Sequence, residues 1–203
     1  MPHANFFAQL GMFVVPGFFN AQLCATLRHD MRTSPKIPAS IRDNRNQIVI
    51  DETQRRTAMV QVSEETSGQV MSRLMATRPA LERHFGIVLE RCQPLSFLLY
   101  EEGYSFGRHT DAARDPEALQ LVKERRVSVS IFLNGEGEET DPDTYGGGSL
   151  TFYGASARDE RSKFPEISLI GEEGLLIGFR SDWAHSVKPI SRGVRFSIVA
   201  WFI

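Results

Sequence analysis

Cysteine is nearly absent from this chain, and long apolar runs are absent altogether. The two cysteines, Cys24 and Cys92, lie far apart, form no C-x-x-C pair and have no neighbouring His or Cys at zinc-ligand spacing. Both read as reduced thiols, which excludes a disulfide framework and a structural zinc. No window reaches the length of a membrane span, and Met1-Pro2-His3-Ala4-Asn5 has no basic region leading into an apolar stretch. The expectation is a soluble, cytoplasmic protein with no membrane partner. Surplus positive charge is also missing. The formal net charge is −2, so composition supplies no field to draw a nucleic acid, and such a partner is not expected. What is present is 203 residues with 41% hydrophobic content, enough for one domain with a sizeable core.

Taken in order, Phe13-Val14-Val15 before Pro16-Gly17 reads as a short strand and turn. Asn20 caps a helix to about Arg32, with Leu23, Leu27 and Met31 at helical spacing. Residues 33–46, rich in Pro, Ser, Asn and Arg, are expected to form an exposed loop. Residues 47–51 and 57–62 read as strands, with Arg55-Arg56 at a turn between them. Two solvated arginines are the plainer reading of that pair; the other has one of them meeting an anionic part of a substrate. Ser63 caps a helix from Glu64 to about Thr77, and Pro79 starts a second one ending near Gly86, with His84 inside it and without a catalytic role.

From Leu95 the pattern changes. The apolar run 95–100 is followed by strand-like segments at 127–133, 149–153, 167–170, 174–179, 184–189 and 194–203, separated by Gly, Asn and Pro turns. So many short strands predict a mainly β fold with flanking N-terminal helices, a cupin-like double-sheet jelly roll or double-stranded β-helix. The expected partition is a helical and loop part over about 1–94 packed on a jelly-roll core over about 95–203, in one domain spanning 1–203. Gly146-Gly147-Gly148 lacks a following G-K-[ST] and an opening helix, so it reads as a turn into a strand and not as a phosphate cradle. Residues 135–143 and 154–165 are expected to be mobile loops at a rim.

Chemistry gathers between Tyr100 and Asp111, where His109 and Asp111 stand two residues apart. On an extended segment a period of two sends both side chains to one face, close enough to share one metal ion. His185 is a third candidate, and Arg195 follows it in a run that reads as strand to the chain's last residue. Two imidazoles and a carboxylate make the facial triad of non-haem Fe(II) oxygenases, with open positions for cosubstrate and O₂. His109-x-Asp111, His185 and Arg195, with Tyr100 ahead and Phe132-Leu133-Asn134 and Gly147-Gly148-x-Leu150-x-Phe152 between, resemble the Fe(II)/2-oxoglutarate-dependent dioxygenases. Order and spacing are most similar to the prolyl 4-hydroxylase-type enzymes, over about residues 95–203.

The resemblance implies that His109, Asp111 and His185 are the Fe(II) ligands and catalytic centre. It implies 2-oxoglutarate as cosubstrate and ascorbate as reductant, with Tyr100 near the cosubstrate. The reaction implied is hydroxylation of an unactivated C–H while 2-oxoglutarate becomes succinate and CO₂. Arg195 carries an argument of its own. Alternation puts Arg195, Ser197, Val199 and Trp201 on one face and Phe196, Ile198 and Ala200 on the other, and both faces are mainly apolar. An arginine in such an interior strand needs an anion. The distal carboxylate of 2-oxoglutarate, with Ser197 donating beside it, is one candidate; an internal Asp or Glu is the other.

The family's second tyrosine is missing, because Phe132 or Ile131 stands at its place, and collagen-type prolyl hydroxylases usually have lysine where Arg195 stands. These departures leave the substrate open between a peptidyl residue and a free amino acid or small metabolite, and the oligomeric state is open as well. Two other readings compete. A nucleic-acid dealkylase of the same superfamily usually has a further arginine where this chain has Trp201. A catalytically silent metal-binding or interaction module usually lacks one of the ligands or the basic residue, and here all four positions are filled.

Overall fold

Period-two alternation along neighbouring strands decides the architecture. In the strand Val127–Phe132, Val127, Val129 and Ile131 join one apolar cluster while Phe132 joins another. In Arg195–Phe202, Phe196, Ile198, Ala200 and Phe202 share the first cluster, and Arg195, Ser197, Val199 and Trp201 face a cavity on the opposite side. A sheet buried on both faces needs a layer on each side. The computed structural model, which describes residues 2–42, 48–113, 118–137, 143–154 and 166–203, supplies both layers.

The larger sheet has seven strands in the order Phe13–Val15, Leu176–Arg180, Val127–Phe132, Arg195–Phe202, Ser96–Tyr100, Ala58–Val60 and Lys36–Pro38, each antiparallel to its neighbours. Five strands, Ile167–Leu169, Leu150–Phe152, His185–Val187, Ser105–His109 and Arg55–Arg56, form the smaller sheet. Leu98, Phe132, Ile177 and Phe179 of the larger sheet pack with Leu150, Phe152, Leu169 and Val187 of the smaller. The other face of the larger sheet is covered by helices Ala21–Thr33 and Glu64–Phe85, through Leu27, Met31, Val70, Leu74 and Leu81. This is the double-stranded β-helix that the strand pattern predicts, with its helices on one sheet. Among the described residues no helix is long and apolar enough to cross a membrane.

Capping sets the helix starts. The Asn20 side chain accepts from the Leu23 amide at 2.9 Å, and Ser63 accepts from the Thr66 amide at 3.1 Å. The expected break at Pro79 does not occur: Glu64–Phe85 is one helix with Pro79 inside it. Proline removes one backbone bond and crowds the preceding turn, but Leu74 and Leu81 on either side are both fully buried in the same cluster. Packing of the continuous face outweighs the local penalty. His84 meets the Gly11 carbonyl at 3.0 Å, away from the cavity.

Other expectations need correction. Residues 33–46 are not simply a loop, since Lys36–Pro38 is an edge strand paired with Ala58–Val60, and Ile41–Arg42 pairs with Ile48–Val49. An edge is where a sheet tolerates proline. Arg55-Arg56 is a strand against Ser105–His109 and not a turn. A helix, Pro2–Gln9, precedes the first strand. The first two glycines of the run end a strand, Tyr145–Gly147, paired with Ile190–Gly193 through a bulge, and Gly148 leads on toward the strand Leu150–Phe152. Gly147 and Gly148 have φ of 69° and 66°, and a Cβ on Gly148 would overlap the Ile190 side chain. Most of the two expected rim loops, 138–142 and 155–165, lies outside the described residues.

Asp143, at the end of the acidic stretch, is tied down. Arg28 is buried and bonds Asp143, Glu173 and the Leu133 carbonyl, while Arg32 meets Asp143 at 2.7 Å. Hydrogen bonds from Arg32 and Arg28 hold the Asp143 carboxyl below its ordinary value. Its contribution is therefore complete above the unfolded value and is lost as pH falls through the folded one. Breaking a fully buried ion pair costs about 3–5 kcal/mol, but the carboxylates of Asp143 and Glu173 are 44% and 36% exposed. Arg28→Ala is expected to lower the unfolding free energy by about 2 kcal/mol at neutral pH, measured by urea denaturation. The difference from wild type should shrink in acid.

Candidate functional site

Strand pairing brings the candidate residues together. Ser105–His109 and His185–Val187 are antiparallel neighbours in the smaller sheet, with His109 directly opposite His185. Asp111 leaves the first strand two residues on and is anchored there, because its amide and that of Ala112 both donate to the Ser181 carbonyl at 2.9 Å. One side-chain donor atom from each of His109, Asp111 and His185 lies within 4.8 Å of the other two. The Asp111 oxygens are each 3.6 Å from an imidazole Nε2, Oδ1 from His109 and Oδ2 from His185.

Both imidazoles are set for ligation. His109 Nδ1 lies 2.8 Å from the Gly107 carbonyl and His185 Nδ1 lies 2.9 Å from the Trp183 carbonyl. A carbonyl only accepts, so each Nδ1 carries a proton and each Nε2 is the ring atom turned to the centre. Phe106 stacks on His109 with centroids 3.6 Å apart, and Phe179 meets His185 edge-on at 4.8 Å. Burial and the neighbouring His109 push His185 down to about 4, so it is neutral at physiological pH. Burial opposes ionisation of Asp111, but the two imidazoles and a hydrogen bond from Ser128 outweigh it and hold the carboxyl below its usual range. Two imidazole nitrogens and one carboxylate on one side of a point suit Fe(II).

These groups face a cavity of about 450 Å³ that also takes in Tyr100, Arg195 and Ser197. Tyr100 and Arg195 are direct partners across adjacent strands of the larger sheet. Arg195 is 1% exposed. Its Nη1 donates to the Gly148 carbonyl at 2.8 Å, its Nε is buried with no partner, and the guanidinium lies over the Phe132 and Tyr100 rings at 4.8 and 5.4 Å. Among the described residues it makes no ion pair. Glu136 is the acid that senses its charge, yet the two form no salt bridge. An uncompensated buried guanidinium with an orphaned N–H fits a ligand carboxylate.

Three residues of this region were not singled out, or were read otherwise, from the sequence. Tyr145 is fully buried with a hydroxyl that has no partner, and a Cβ on Gly171 would overlap both that oxygen and the Phe132 ring. The hydroxyl thus sits near Phe132, one of the two candidates for the place of the missing tyrosine. Burial pushes it up to about 12, so it stays a donor. Arg55 is not solvated at a turn; it lines the cavity, as does Arg125. Nothing in local pattern marks Tyr145 or Arg125, because only long-range pairing brings them near.

Asn134 explains part of the Phe132-Leu133-Asn134 motif. Its Nδ2 donates to the Val194 carbonyl at 2.8 Å and its Oδ1 accepts from the Phe196 amide at 2.9 Å. The side chain therefore clamps the backbone on both sides of Arg195.

Comparison with known proteins follows the same lines. The family model described as "2OG-Fe(II) oxygenase superfamily" matches residues 95–203. A PKHD-type hydroxylase of Thermosynechococcus vestitus is 37% identical over 108 residues, which are 53% of this chain and 42% of that protein. One from Synechococcus elongatus is 34% identical over 117 residues, 55% of this chain and 44% of that protein. The matches thus span less than half the length of these two relatives. Among solved structures, a Pseudomonas putida prolyl-4-hydroxylase superposes with a TM-score of 0.70 at 24% identity, covering 99% of this chain and 96% of that one. A Trichoplax adhaerens prolyl hydroxylase in complex with a hypoxia inducible factor peptide gives 0.64 at 18% identity, covering 99% and 87%. At these identities the structures speak for the fold.

Removal of the Asn134 clamp strands two backbone groups, at about 1–3 kcal/mol each where they are fully buried. Asn134→Ala is expected to lower stability by about 2–4 kcal/mol in chemical denaturation. A loss below about 1 kcal/mol, the size of one ordinary hydrogen bond, would mean that water replaces the side chain.

Proposed function

Because the chain belongs to the 2OG-Fe(II) oxygenase superfamily, we propose that it is an Fe(II)- and 2-oxoglutarate-dependent hydroxylase of an unactivated C–H, working as a single catalytic unit over its whole length. His109, Asp111 and His185 hold the metal. Arg195, Ser197 and Tyr100 bind the cosubstrate, and ascorbate serves as reductant. The observation that carries this reading is the convergence of two Nε2 atoms and a carboxylate on a cavity whose other wall holds a buried guanidinium with no ion-pair partner among the described residues. Bound there, Fe(II) and 2-oxoglutarate supply the O₂-driven oxidation, in which the cosubstrate becomes succinate and CO₂ and the substrate C–H becomes C–OH.

The chain's own residues bind, orient and exclude water. The Nδ1 bonds to the Gly107 and Trp183 carbonyls fix the imidazole planes, and Phe106 and Phe179 wall the rings off from solvent. Arg195 Nε and the edge beyond it receive the distal carboxylate, which replaces the missing counter-charge. Tyr145 takes the part of the tyrosine that Phe132 or Ile131 replaces, through a hydroxyl with no hydrogen-bond partner among the described residues. The substrate is a peptidyl residue, as in the prolyl hydroxylases that the fold resembles, or a free amino acid or small metabolite.

Each of His109→Ala, Asp111→Ala and His185→Ala is expected to abolish succinate formation and to lose tight Co(II) binding, followed by its visible absorption, while remaining folded. Retention of both in any one variant would take that residue out of the site. Truncating one side of a desolvated charge pair costs about 2–5 kcal/mol. Arg195→Leu should therefore raise the KM for 2-oxoglutarate roughly thirty-fold to several thousand-fold, at about 1.4 kcal/mol per tenfold, with Co(II) binding unchanged. Tyr145→Phe should raise that KM by about tenfold, as for one hydrogen bond to a charged group. An unchanged KM in Tyr145→Phe would leave its hydroxyl as a structural orphan.

A further inference from the structure

The cavity is lined by two more guanidiniums besides Arg195, and neither has a carboxylate ion-pair partner among the described residues. Arg55 comes from the two-residue strand that ends the smaller sheet, and Arg125 from the segment just after the helix Gln120–Lys123. Arg55 lies flat over Phe106, 4.6 Å from its centroid, and donates Nη1 to the Ser40 carbonyl at 3.2 Å. Its Nε is buried and unpartnered. Arg125 lies over Trp201 at 3.8 Å, with Nε on the Gln93 side-chain oxygen at 2.9 Å and Nη1 on the Asp111 carbonyl at 3.2 Å. Every hydrogen bond these two make goes to a neutral oxygen, so their charges are held in place but not neutralised. Burial disfavours each as a cation and outweighs the help of the Asp111 carboxylate, which a bound metal would take up; in Arg125 the charge of Arg55 adds to the penalty.

Charge accounting separates these arginines from the cosubstrate. A divalent metal on Asp111 and two neutral imidazoles leaves one positive charge, and Arg195 adds another. The two carboxylates of 2-oxoglutarate cancel both. Arg55 and Arg125 then remain as two unmatched, mutually repelling charges on the wall of the same cavity. Like charges held together in a partly desolvated site call for an anion. The free Nε edge of Arg55 is the side-on fork that takes a planar carboxylate through two parallel bonds. Ile41 and Val122, which also line the cavity, offer apolar surface for the rest of a small molecule.

We propose that Arg55 and Arg125 form the substrate subsite, and that the substrate carries a carboxylate which they hold while its reacting carbon faces His109, Asp111 and His185. This rests on the hydroxylase reading, and it selects an acid from the substrates that reading leaves open.

The test uses the full chain loaded with Zn(II), which turns nothing over, and with saturating 2-oxoglutarate so that Arg195 and the metal are occupied. Butyrate, its neutral counterpart butyramide and butyl phosphate are titrated at matched ionic strength and followed by ligand-observed NMR. Butyrate is expected to bind at least tenfold more tightly than butyramide, with Arg55→Gln and Arg125→Gln each weakening it by about tenfold or more and Arg55→Lys recovering part of the loss. Thermal melts check that the variants are folded; if one is not, the contrast between butyrate and butyramide in the wild type still decides. Equal binding of those two, butyrate binding that survives in both folded glutamine variants, or competition between butyrate and 2-oxoglutarate would each overturn the assignment. Tighter binding of butyl phosphate would also overturn it, in favour of a phosphorylated substrate. Succinate formation by the wild-type protein is a separate assay, and its failure would remove the hydroxylase reading while leaving the anion titration to stand or fall alone.

Discussion

A guanidinium that is 1% exposed, bonded at Nη1 to a carbonyl and unpaired at Nε, is a stability liability in the chain as it stands. A buried charge without a partner is worth several kcal/mol against the fold, and a leucine at position 195 would fill the same space at less expense. The surroundings nevertheless keep Arg195 in place. Asn134 grips the backbone on either side of it, Gly148 approaches closely enough to accept from it, and two aromatic faces flank it. Close approach at Gly148 depends in turn on a positive φ and on the ribbon that Tyr145–Gly147 makes with Ile190–Gly193. So much structure around one unmatched charge is intelligible if the charge is meant for a ligand.

The wall with the two histidines works by a different principle, for its side chains are oriented before any ligand arrives. Pairing His109 with His185 across two strands fixes the distance between the imidazoles, and the carbonyl bonds at Nδ1 fix their rotation and tautomer. Asp111 then needs only a short anchored step off the strand to complete the triangle. A neutral His185 beside an ionised Asp111 is the state that a cation requires.

Much of this was legible in the sequence where the information is local. Alternation in 194–203 named both faces of the central strand, and the wall that Arg195, Ser197, Val199 and Trp201 share is the one the period of two implies. The His109-x-Asp111 spacing placed two groups on one side, and Asn20 and Ser63 marked two helix starts. Failures fell where a distant partner overrules the local signal. Pro79 reads as a break until Leu74 and Leu81 are seen in one core. Arg55-Arg56 reads as a solvated turn until the strand Ser105–His109 is laid beside it. Tyr145 sits next to a glycine run that gives no hint of the buried hydroxyl, and Arg125 is one of two adjacent arginines with nothing in the pattern to choose between them.

The two halves of the cavity differ in how they are built. The proposed metal ligands and Tyr100, Arg195 and Ser197 stand on or beside strands paired on both sides within the sheets, and Tyr145 on a two-stranded ribbon. Arg55 and Arg125 stand instead on a two-residue edge strand and on a segment behind a four-residue helix, with few ladder bonds of their own. A site held within fractions of an ångström needs rigid elements, while a group that only has to meet an incoming anion tolerates a softer support. Rearranging such short peripheral elements would leave the pairing of His109 with His185 and the clamp on Arg195 intact. On the proposed reading, the oxidising apparatus is fixed by the sheets while the substrate subsite, with its two arginines, rests on elements that sequence change can remodel.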